Sequence, residues 1–249
     1  MPRTIITDEL WSRLVTVLRA VGVRYSPTLR PHVEGIFWRT RVGGPWRDVP
    51  RKFGPYSSVY NLFNRWSKSG KLDSIFEAVR RDPDLEFAFI DGSIVRAHQH
   101  SAGARQGENT AIGRSRGGLS TKIHMVADAH GNPYHVVISE GQRHDAVFAQ
   151  SLVDATPAEH FVGDKGYDSN LLRQHIRERG SIPVIPNKAT TKTPNPDMDD
   201  EIYKWRHLVE NLFARLKHFR AIATRYDKLA RNYLGTIKLG SIFCWLRLT

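Results

Sequence analysis

The chain has 249 residues and a formal net charge of +12, from 37 Lys and Arg against 25 Asp and Glu. This length allows one or two domains with a sizeable core, and the single cysteine, Cys244, excludes an internal disulfide framework. No stretch is long and uncharged enough to span a bilayer, and the N-terminus lacks an apolar signal segment. We therefore expect a chain that works in a reducing cytoplasm.

The positive charge is concentrated in two flanks. Residues 1–80 carry a net charge of +8, residues 81–202 carry −4, and residues 203–249 carry +8. Two basic flanks around an acidic middle favour a polyanion such as nucleic acid as the partner. A membrane surface is the other common target of basic chains, but the aromatic and basic residues here follow folded patterns and form no basic amphipathic tail.

Residues 1–80 predict a small, basic, all-α domain. Thr7 and Ser57 are expected helix N-caps, and Gly43 and Gly70 are expected to end helices. The predicted helices are 7–20, 31–42, 57–67 and 72–80.

The third of these helices carries residue types that contact bases and phosphates. They include Tyr60, Asn64 and Arg65. The functional interpretation is a helix-turn-helix-like DNA-binding domain. The alternative is a small helical domain with cations on its solvated face.

Residues 86–249 predict a second domain of the α/β class, in which strands of mixed direction are flanked by helices. A turn at Asn132-Pro133 favours an antiparallel pair, and two prolines in 181–186 favour an edge strand. The predicted strands are 87–91 with 93–97, 121–128, 134–139, 160–163 and 181–186, and the predicted helices are 145–155, 169–179 and a long final helical region.

A connector rich in Gly, Ser and Arg spans residues 99–118. We expect it to be a flexible basic loop, either suited to phosphates through residues such as Arg114 and Arg116 or simply disordered.

The final helical region carries a polar stripe. Tyr203, Arg206, Glu210 and Lys217 fall within a sector roughly 60° wide on an α-helix. An apolar stripe that includes Trp205 lies nearly opposite. A row of one carboxylate, two cations and a phenol is suited to binding a metal ion and a phosphate chain. The alternative is an ordinary solvated polar face on a helix whose opposite, apolar stripe packs in the core.

Two further carboxylates, Asp91 and Asp164, follow predicted strands, where an Asp is most often a cap or turn former. If both converge with Glu210, they repel one another unless a divalent cation neutralises them. Oxygen ligands favour Mg²⁺ or Mn²⁺, and two such ions can activate a water or a 3′-hydroxyl for phosphodiester chemistry. Asp168 is the alternative to Asp164.

Several motifs together resemble the DDE transposases of bacterial insertion sequences, most closely the group named after insertion sequence five. They are Phe89-Ile-Asp-Gly-Ser93, Gly113 to Lys122, Gly141-Gln-Arg-His-Asp145, Asp164-Lys-Gly-Tyr-Asp168, the polar stripe, Arg41 to Pro50, Phe53 to Tyr60, and Phe219 to Lys228.

The resemblance implies a ribonuclease-H-like catalytic domain with Asp91, Asp164 and Glu210 as a metal-binding triad for two Mg²⁺ ions. It implies cleavage at transposon ends by water, strand transfer by the freed 3′-hydroxyl, and a homodimer on double-stranded terminal repeats and target DNA in the bacterial nucleoid. The residues expected to contact DNA are Tyr203, Arg206, Lys217, His144, Arg114, Arg116, Lys122, Tyr60, Asn64 and Arg65.

Other interpretations stay open at this point. His98 and His100, with His124 and His144, could indicate a zinc site, although zinc needs three well-placed ligands. Asp145 is expected to cap the helix that it opens, and His144 is either a DNA contact or an acid or base. A catalytically silent DNA-binding repressor or domesticated factor is the alternative function, and a nuclease without strand transfer is a third.

Overall fold

The computed structural model describes residues 5–104 and 108–247, and the chain divides into two compact units. We call them the helical unit (residues 1–81, 96–110 and 216–249) and the sheet unit (residues 82–95 and 111–215). The division differs from the predicted domains 1–80 and 86–249, because two segments of the second domain group with the N-terminal helices.

Four helices open the described chain, and strands and helices are mixed after them. The helices are α1 (Asp8–Ala20), α2 (Leu29–Val42), α3 (Tyr56–Lys68), α4 (Lys71–Val79), α5 (Ala146–Asp154), α6 (Asn170–Glu178), α7 (Asp200–Lys204), α8 (His207–Lys217), α9 (Arg220–Ala223) and α10 (Ala230–Leu246). The strands are β1 (Phe87–Ala97), β2 (Gly113–Ser115), β3 (Gly118–Ala127), β4 (Pro133–Glu140), β5 (His160–Gly163), β6 (Ile182–Val184) and β7 (Thr224–Arg225).

The helical unit is built around α10, which is buried along most of its length. Its contacts with α4 and α3 explain why residues 216–249 group with the N-terminal helices. The Thr7 hydroxyl accepts from the Leu10 amide at 3.2 Å, as a helix N-cap does. The expected cap at Ser57 is wrong, because α3 begins at Tyr56 with Pro55 before it, so Ser57 lies inside the first turn.

The connection between α2 and α3 runs over residues 43–55 and contains two short 3₁₀ turns. It is longer than the turn of a helix-turn-helix motif, which has three to four residues. A short link, Ser69-Gly70, instead joins α3 to α4. The DNA-binding interpretation of this region therefore stays a prediction.

The described strands form a seven-stranded sheet with mixed strand directions. Its order is β2-β3-β1-β5-β6, with β4 paired to β3 and β7 paired to the last residues of β1. β3 and β4 are antiparallel, as the turn at Asn132-Pro133 predicted, whereas β1 and β5 are parallel. β6 lies at the end of the order, which agrees with Pro183 inside the strand and Pro186 just after it.

The predicted basic loop 99–118 is partly ordered structure. Its last part forms a hairpin, in which Gly113 of β2 pairs with Ser120 of β3 and Gly118 takes a φ of +94° at the turn. Arg114 and Arg116 are both exposed on this hairpin. Residues 105–107 lie outside the described residues. The prediction of one flexible loop is wrong for residues 113–118, because 113–115 pair with β3 across a tight turn at 116–117.

One face of the sheet unit's strands packs against α5 and α6. Buried residues of this core include Ile90, Val126, Leu152, Phe161 and Ile176. Within residues 5–104 and 108–247, no helix combines the length and the apolar character that a bilayer crossing requires.

Gly43 and Gly22 offer a matched test of packing in the helical unit. Both have a positive φ, of 74° and 75°, which costs any other residue about 1–2 kcal/mol. A Cβ at Gly43 would lie 3.0 Å from the backbone carbon of Arg220, whereas a Cβ at Gly22 would meet nothing within 4 Å. In urea denaturation, Gly43→Ala should therefore lower the free energy of unfolding more than Gly22→Ala does. Equal losses would contradict the close approach to Arg220.

Candidate active site

The register of two parallel strands places two aspartates side by side. Ile90 of β1 pairs with Gly163 of β5, and the next residues along the chain are Asp91 and Asp164. The carboxylates interact electrostatically, since the charge of Asp164 raises the pKa of Asp91. Asp164 also accepts a hydrogen bond of 2.7 Å from the amide of Gly166 through Oδ1.

Arg206 links Asp91 to the third predicted carboxylate. Its guanidinium lies 3.5 Å from Asp91 Oδ2 and also donates to Glu210 Oε1. Arg206 is half-buried and Glu210 is exposed. Although burial opposes it, the negative charges of Asp91, Glu210 and Asp164 raise the pKa of Arg206 above its usual value. The structure thus brings Asp91, Asp164, Arg206 and Glu210 together within the sheet unit.

The single helical stripe predicted for residues 203–217 is wrong in detail. α7 ends at Lys204 and α8 begins at His207. Between them, backbone hydrogen bonds run three residues back, including 3.1 Å from Trp205 N to Ile202 O and 3.0 Å from Arg206 N to Tyr203 O. This tighter turn shifts the rotational phase of the helix, and Trp205, which was expected in the apolar stripe, is 58% exposed.

The surroundings of Asp91 destabilise the ionised form of its carboxyl group. Burial raises its pKa to about 6, against the opposing effects of a hydrogen bond from the Gly92 amide and the charge of Arg206. Asp164 and Asp145 add further negative charge and raise the same pKa. Arg206 therefore offsets only part of the cost of ionising Asp91.

Asp145 belongs to the same cluster, which corrects its expected role as a helix cap. It stands at the N-cap position of α5, but its side chain makes no capping hydrogen bond. Instead Lys122 Nζ lies 3.1 Å from Asp145 Oδ2, and His124 Nδ1 lies 3.3 Å from Oδ1. Although burial opposes it, these two partners hold the pKa of Asp145 below its usual value.

Gly92 explains how Asp145 approaches Asp91. A Cβ built on Gly92 would overlap Asp145 Oδ1, so any larger residue would displace the Asp145 carboxylate. Gly92 directly follows Asp91 in the Phe-Ile-Asp-Gly-Ser motif. The motif therefore supplies a candidate metal ligand, Asp91, and, through the missing side chain of Gly92, the space that the Asp145 carboxylate occupies.

Tyr167 was missed by sequence reasoning. Its side chain is buried, and its hydroxyl has no hydrogen-bond partner within residues 5–104 and 108–247. Burial raises its pKa, and the charges of Asp145, Asp91 and Asp164 raise it further. The one signal available in the sequence was the aromatic residue inside the motif Asp164-Lys-Gly-Tyr-Asp168.

Asp168, the alternative to Asp164, has a structural role. It is buried, forms an ion pair of 2.9 Å with Arg173, and accepts from the Lys188 amide at 2.7 Å. These contacts tie α6 to the loop that follows β6.

The histidines do not assemble into the zinc site considered above. The rings of His98 and His100 pack edge to face at 4.6 Å, and His124 Nε2 is engaged with Ser139 Oγ at 2.8 Å. Among the residues that the structure describes, no group of three or more His, Cys, Asp and Glu side chains has a metal-holding arrangement.

The donor set at Asp91, Asp164 and Glu210 nevertheless fits a hard divalent cation. All three ligands offer oxygen, as Mg²⁺ and Mn²⁺ prefer. The under-compensated Asp91, beside a Tyr167 hydroxyl that has no hydrogen-bond partner among the described residues, marks a place where additional positive charge would be stabilising. Arg206 now bridges two of the three carboxylates, so these groups would have to move apart from it to converge.

The predicted DNA-contacting residues fall into several environments. Lys122 is engaged by Asp145, whereas His144 and Lys217 are exposed. On α3, Tyr60 lines one cavity and Arg65 lines another. The Oδ1 atom of Asn64 is buried, with no hydrogen-bond partner in the part of the chain that the structure describes, so this amide oxygen is not presented to solvent.

Carboxylates at the ends of adjacent parallel strands, with a helix-borne glutamate joined to them, define a candidate phosphoryl-transfer site on an α/β sheet. A family model described as "Transposase DDE domain" matches residues 82–242, and one described as "Putative transposase of IS4/5 family" matches residues 6–76. The chain therefore belongs to the DDE transposase family, with the ribonuclease-H-like α/β fold that the resemblance implied, and the IS4/5 match agrees with the group named above.

Individual relatives agree with this family. A "Putative transposase for insertion sequence element IS6501" from Brucella ovis is 31% identical over 134 residues, which cover 52% of this chain and 100% of the relative. A "Putative transposase for insertion sequence element IS402" from Burkholderia cepacia is 30% identical over 138 residues, 50% of this chain and 63% of the relative. An "Uncharacterized protein y4sN" from Sinorhizobium fredii is 41% identical over 90 residues, 36% of this chain and 72% of the relative. No solved structure matches the chain significantly.

The raised pKa of Asp91 predicts a pH-dependent stability effect. The folded protein holds the Asp91 proton more tightly than the unfolded chain does, so this carboxyl stabilises the fold below its ordinary pKa. That contribution is lost as the pH rises toward about 6. In the metal-free protein with EDTA, Asp91→Asn should raise the free energy of unfolding at pH 7.5 by an amount on the order of 1–3 kcal/mol and should change it little near pH 4.

Glu159→Gln is the matched control for this titration, because Glu159 is an exposed carboxylate of the same unit. It should change the unfolding free energy by less than about 0.5 kcal/mol at either pH. Urea denaturation at both pH values measures the difference. A destabilised Asp91→Asn at the higher pH would contradict the electrostatic account.

Proposed function

We propose that this protein is a DNA transposase that binds the ends of an insertion sequence, cleaves them by metal-assisted phosphodiester hydrolysis, and joins the freed 3′-hydroxyl to target DNA. The observation that carries the proposal is the β1/β5 register, which sets Asp91 beside Asp164, together with the link from Asp91 through Arg206 to Glu210. Membership of the DDE transposase family supports the same chemistry.

Asp91, Asp164 and Glu210 are the residues that would hold the metal, as Mg²⁺ or Mn²⁺ and in a pair of ions. When bound, such ions activate a water or a 3′-hydroxyl and stabilise the leaving oxygen of a phosphodiester. The side chains would supply oxygen ligands only, with Asp91 and Asp164 fixed by the sheet and Glu210 by α8.

Arg206 would serve as the phosphate-binding residue next to this centre. Its guanidinium is already committed to Asp91 and Glu210, and a fork of parallel N–H donors suits a phosphate as well as a carboxylate. DNA entry would let Arg206 exchange a carboxylate partner for a phosphate oxygen. Tyr203, half-buried in α7, and Lys217, exposed at the end of α8, would contribute further contacts to the cleaved end.

The surrounding residues would keep the site ordered. Asp145 fixes Lys122 and packs beside Gly92, while Tyr167 fills the buried side of the acidic cluster with an aromatic ring. A buried, low-dielectric wall strengthens the attraction between the carboxylates and any cation brought to them.

The charge distribution supports DNA as the partner. The helical unit contains 24 Lys and Arg against 8 Asp and Glu, a net charge of +16, whereas the sheet unit contains 13 against 17. A basic unit attracts the phosphate backbone and an acidic site holds the cations that the chemistry needs. Because two ends must be joined, the working form would be a homodimer on terminal repeats and target DNA.

Removing a proposed ligand should separate cleavage from binding. Asp91→Ala and Glu210→Ala should each lower the rate of end cleavage about a hundredfold or more, since even losing a group that only hydrogen-bonds to a metal ligand typically costs about 10–100-fold. Duplex binding should persist. The measurements are a cleavage assay on labelled insertion-sequence ends with Mg²⁺ and a binding isotherm with EDTA.

Glu201→Ala is the matched control, because Glu201 is an exposed carboxylate on α7 whose partner is Lys204. It should cleave at the parent rate. Cleavage that persists in EDTA, or in Asp91→Ala, would refute the metal-dependent mechanism. Binding without cleavage by the parent protein would favour the silent DNA-binding factor instead.

A further inference from the structure

A cavity of about 960 Å³ opens in the helical unit and is lined by residues of that unit alone. Three separate sequence segments meet there, namely 43–46, 98–104 and 226–229. The aromatic side chains that line it are Trp46, Tyr60, His98, His100 and Tyr226. The proposed chemistry at Asp91 uses none of these residues.

The cavity contains a flat aromatic platform. The rings of Tyr226 and His98 stack with centroids 4.6 Å apart and planes inclined by 25°. Tyr226 remains 41% exposed, so the stack leaves part of its surface open. On another wall, Trp46 packs edge to face on Tyr60 at 5.4 Å. Two aromatic surfaces thus line one cavity.

Buried charge interactions hold the platform in place. Arg225, which is fully buried, donates through Nε to the Asp227 carbonyl at 2.9 Å and through its terminal nitrogen to the Lys228 carbonyl at 3.2 Å. Arg39 pairs with both carboxylate oxygens of Asp227 at 3.2 Å. The segment that presents Tyr226 is therefore anchored on both sides of its turn.

Positive charge accompanies the aromatic rings. The Arg39 guanidinium lies over the Trp46 ring at 4.8 Å. Lys228 is exposed at the wall, with Nζ beside Gly103. The lining also contains two carboxylates, Asp227, which pairs with Arg39, and Glu108. The unit as a whole carries +16, so its net charge attracts an anion toward the π surfaces of the cavity.

A planar ligand with a phosphate attached matches this chemistry. Every nucleobase has a π face that stacks on aromatic side chains, and its backbone is drawn to cations. A paired base within a duplex presents only its edges, so the base that stacks must be unpaired. The volume lies in the range of sites that enclose small ligands, and it is ample for one nucleotide.

We propose that this aromatic cavity binds an unpaired nucleobase of the DNA that the protein holds. The proposal rests on the proposed DNA-processing function, but it assigns a binding site outside the acidic cluster. It also gives a role to His98, which stacks on Tyr226, and to His100, whose ring packs edge to face on His98.

The test uses the full chain and a short single-stranded oligonucleotide with one 2-aminopurine, whose fluorescence falls when the base stacks. Tyr226→Ala should weaken binding about tenfold and abolish the quenching, because one stacked base is worth about 1–3 kcal/mol. Tyr226→Phe keeps the ring and should bind like the parent. Tyr226→Leu keeps apolar bulk over His98 without a π face and should behave like Tyr226→Ala.

Tyr25→Ala is the matched control, because Tyr25 is 53% exposed in the same unit and does not line the cavity. It should leave binding and quenching unchanged. A fully paired duplex should bind Tyr226→Ala as it binds the parent, to within about twofold, since phosphate contacts dominate there.

The outcomes separate this proposal from the proposed function. If the parent cleaves insertion-sequence ends but Tyr226→Ala and Tyr226→Leu bind the single strand as the parent does, the cavity proposal is wrong and the transposase stands. If the parent shows no quenching, the cavity proposal is equally wrong. If loss of the ring abolishes quenching while the parent fails to cleave ends, the base site is supported and the proposed catalysis is refuted.

Discussion

The pairing of β1 with β5 is the constraint on which the candidate site depends. Parallel strands in this register place Asp91 and Asp164 at neighbouring positions. Two ionised carboxylates repel each other there unless positive charge is added. Arg206 supplies part of that charge by bridging Asp91 and Glu210. The position of the helix-borne glutamate is thus tied to the sheet through one guanidinium.

The residues around this cluster increase the electrostatic cost. Burial raises the pKa of Asp91, and Asp145 adds a further negative charge. The Tyr167 hydroxyl has no hydrogen-bond partner among the residues that the structure describes. A fold selected only for stability would replace such groups with apolar ones. A site that is under-compensated when empty and satisfied when cations and phosphates arrive is what the proposed chemistry requires, at the expense of some stability in the metal-free protein.

The helical unit uses buried charge differently. The Arg39 guanidinium donates to the Asp227 carboxylate, and the Arg225 guanidinium donates to backbone carbonyls. Both buried charges are therefore satisfied by groups of the protein itself. Their cost of burial is offset by hydrogen bonds in fixed geometry, and the result is a rigid segment that presents Tyr226. Mobile aromatic side chains would lose entropy on stacking with a ligand, whereas a platform that is already ordered loses little.

The sequence by itself determined the order of the helices and strands except β2 and β7, the antiparallel β3–β4 pair and the edge position of β6. It also marked Asp91, Asp164 and Glu210 as candidates, because periodicity, turn residues and strand ends are local signals. Only the tertiary structure decided that residues 216–249 join the N-terminal helices, that residues 113–115 form a hairpin strand, and that the helix breaks near Trp205. It also decided that Asp145 and Tyr167 stand beside Asp91 and that His98 stacks on Tyr226. These features depend on contacts between residues far apart in the chain, and hydrophobic spacing carries no information about which distant partner satisfies a charge, a ring or a backbone edge.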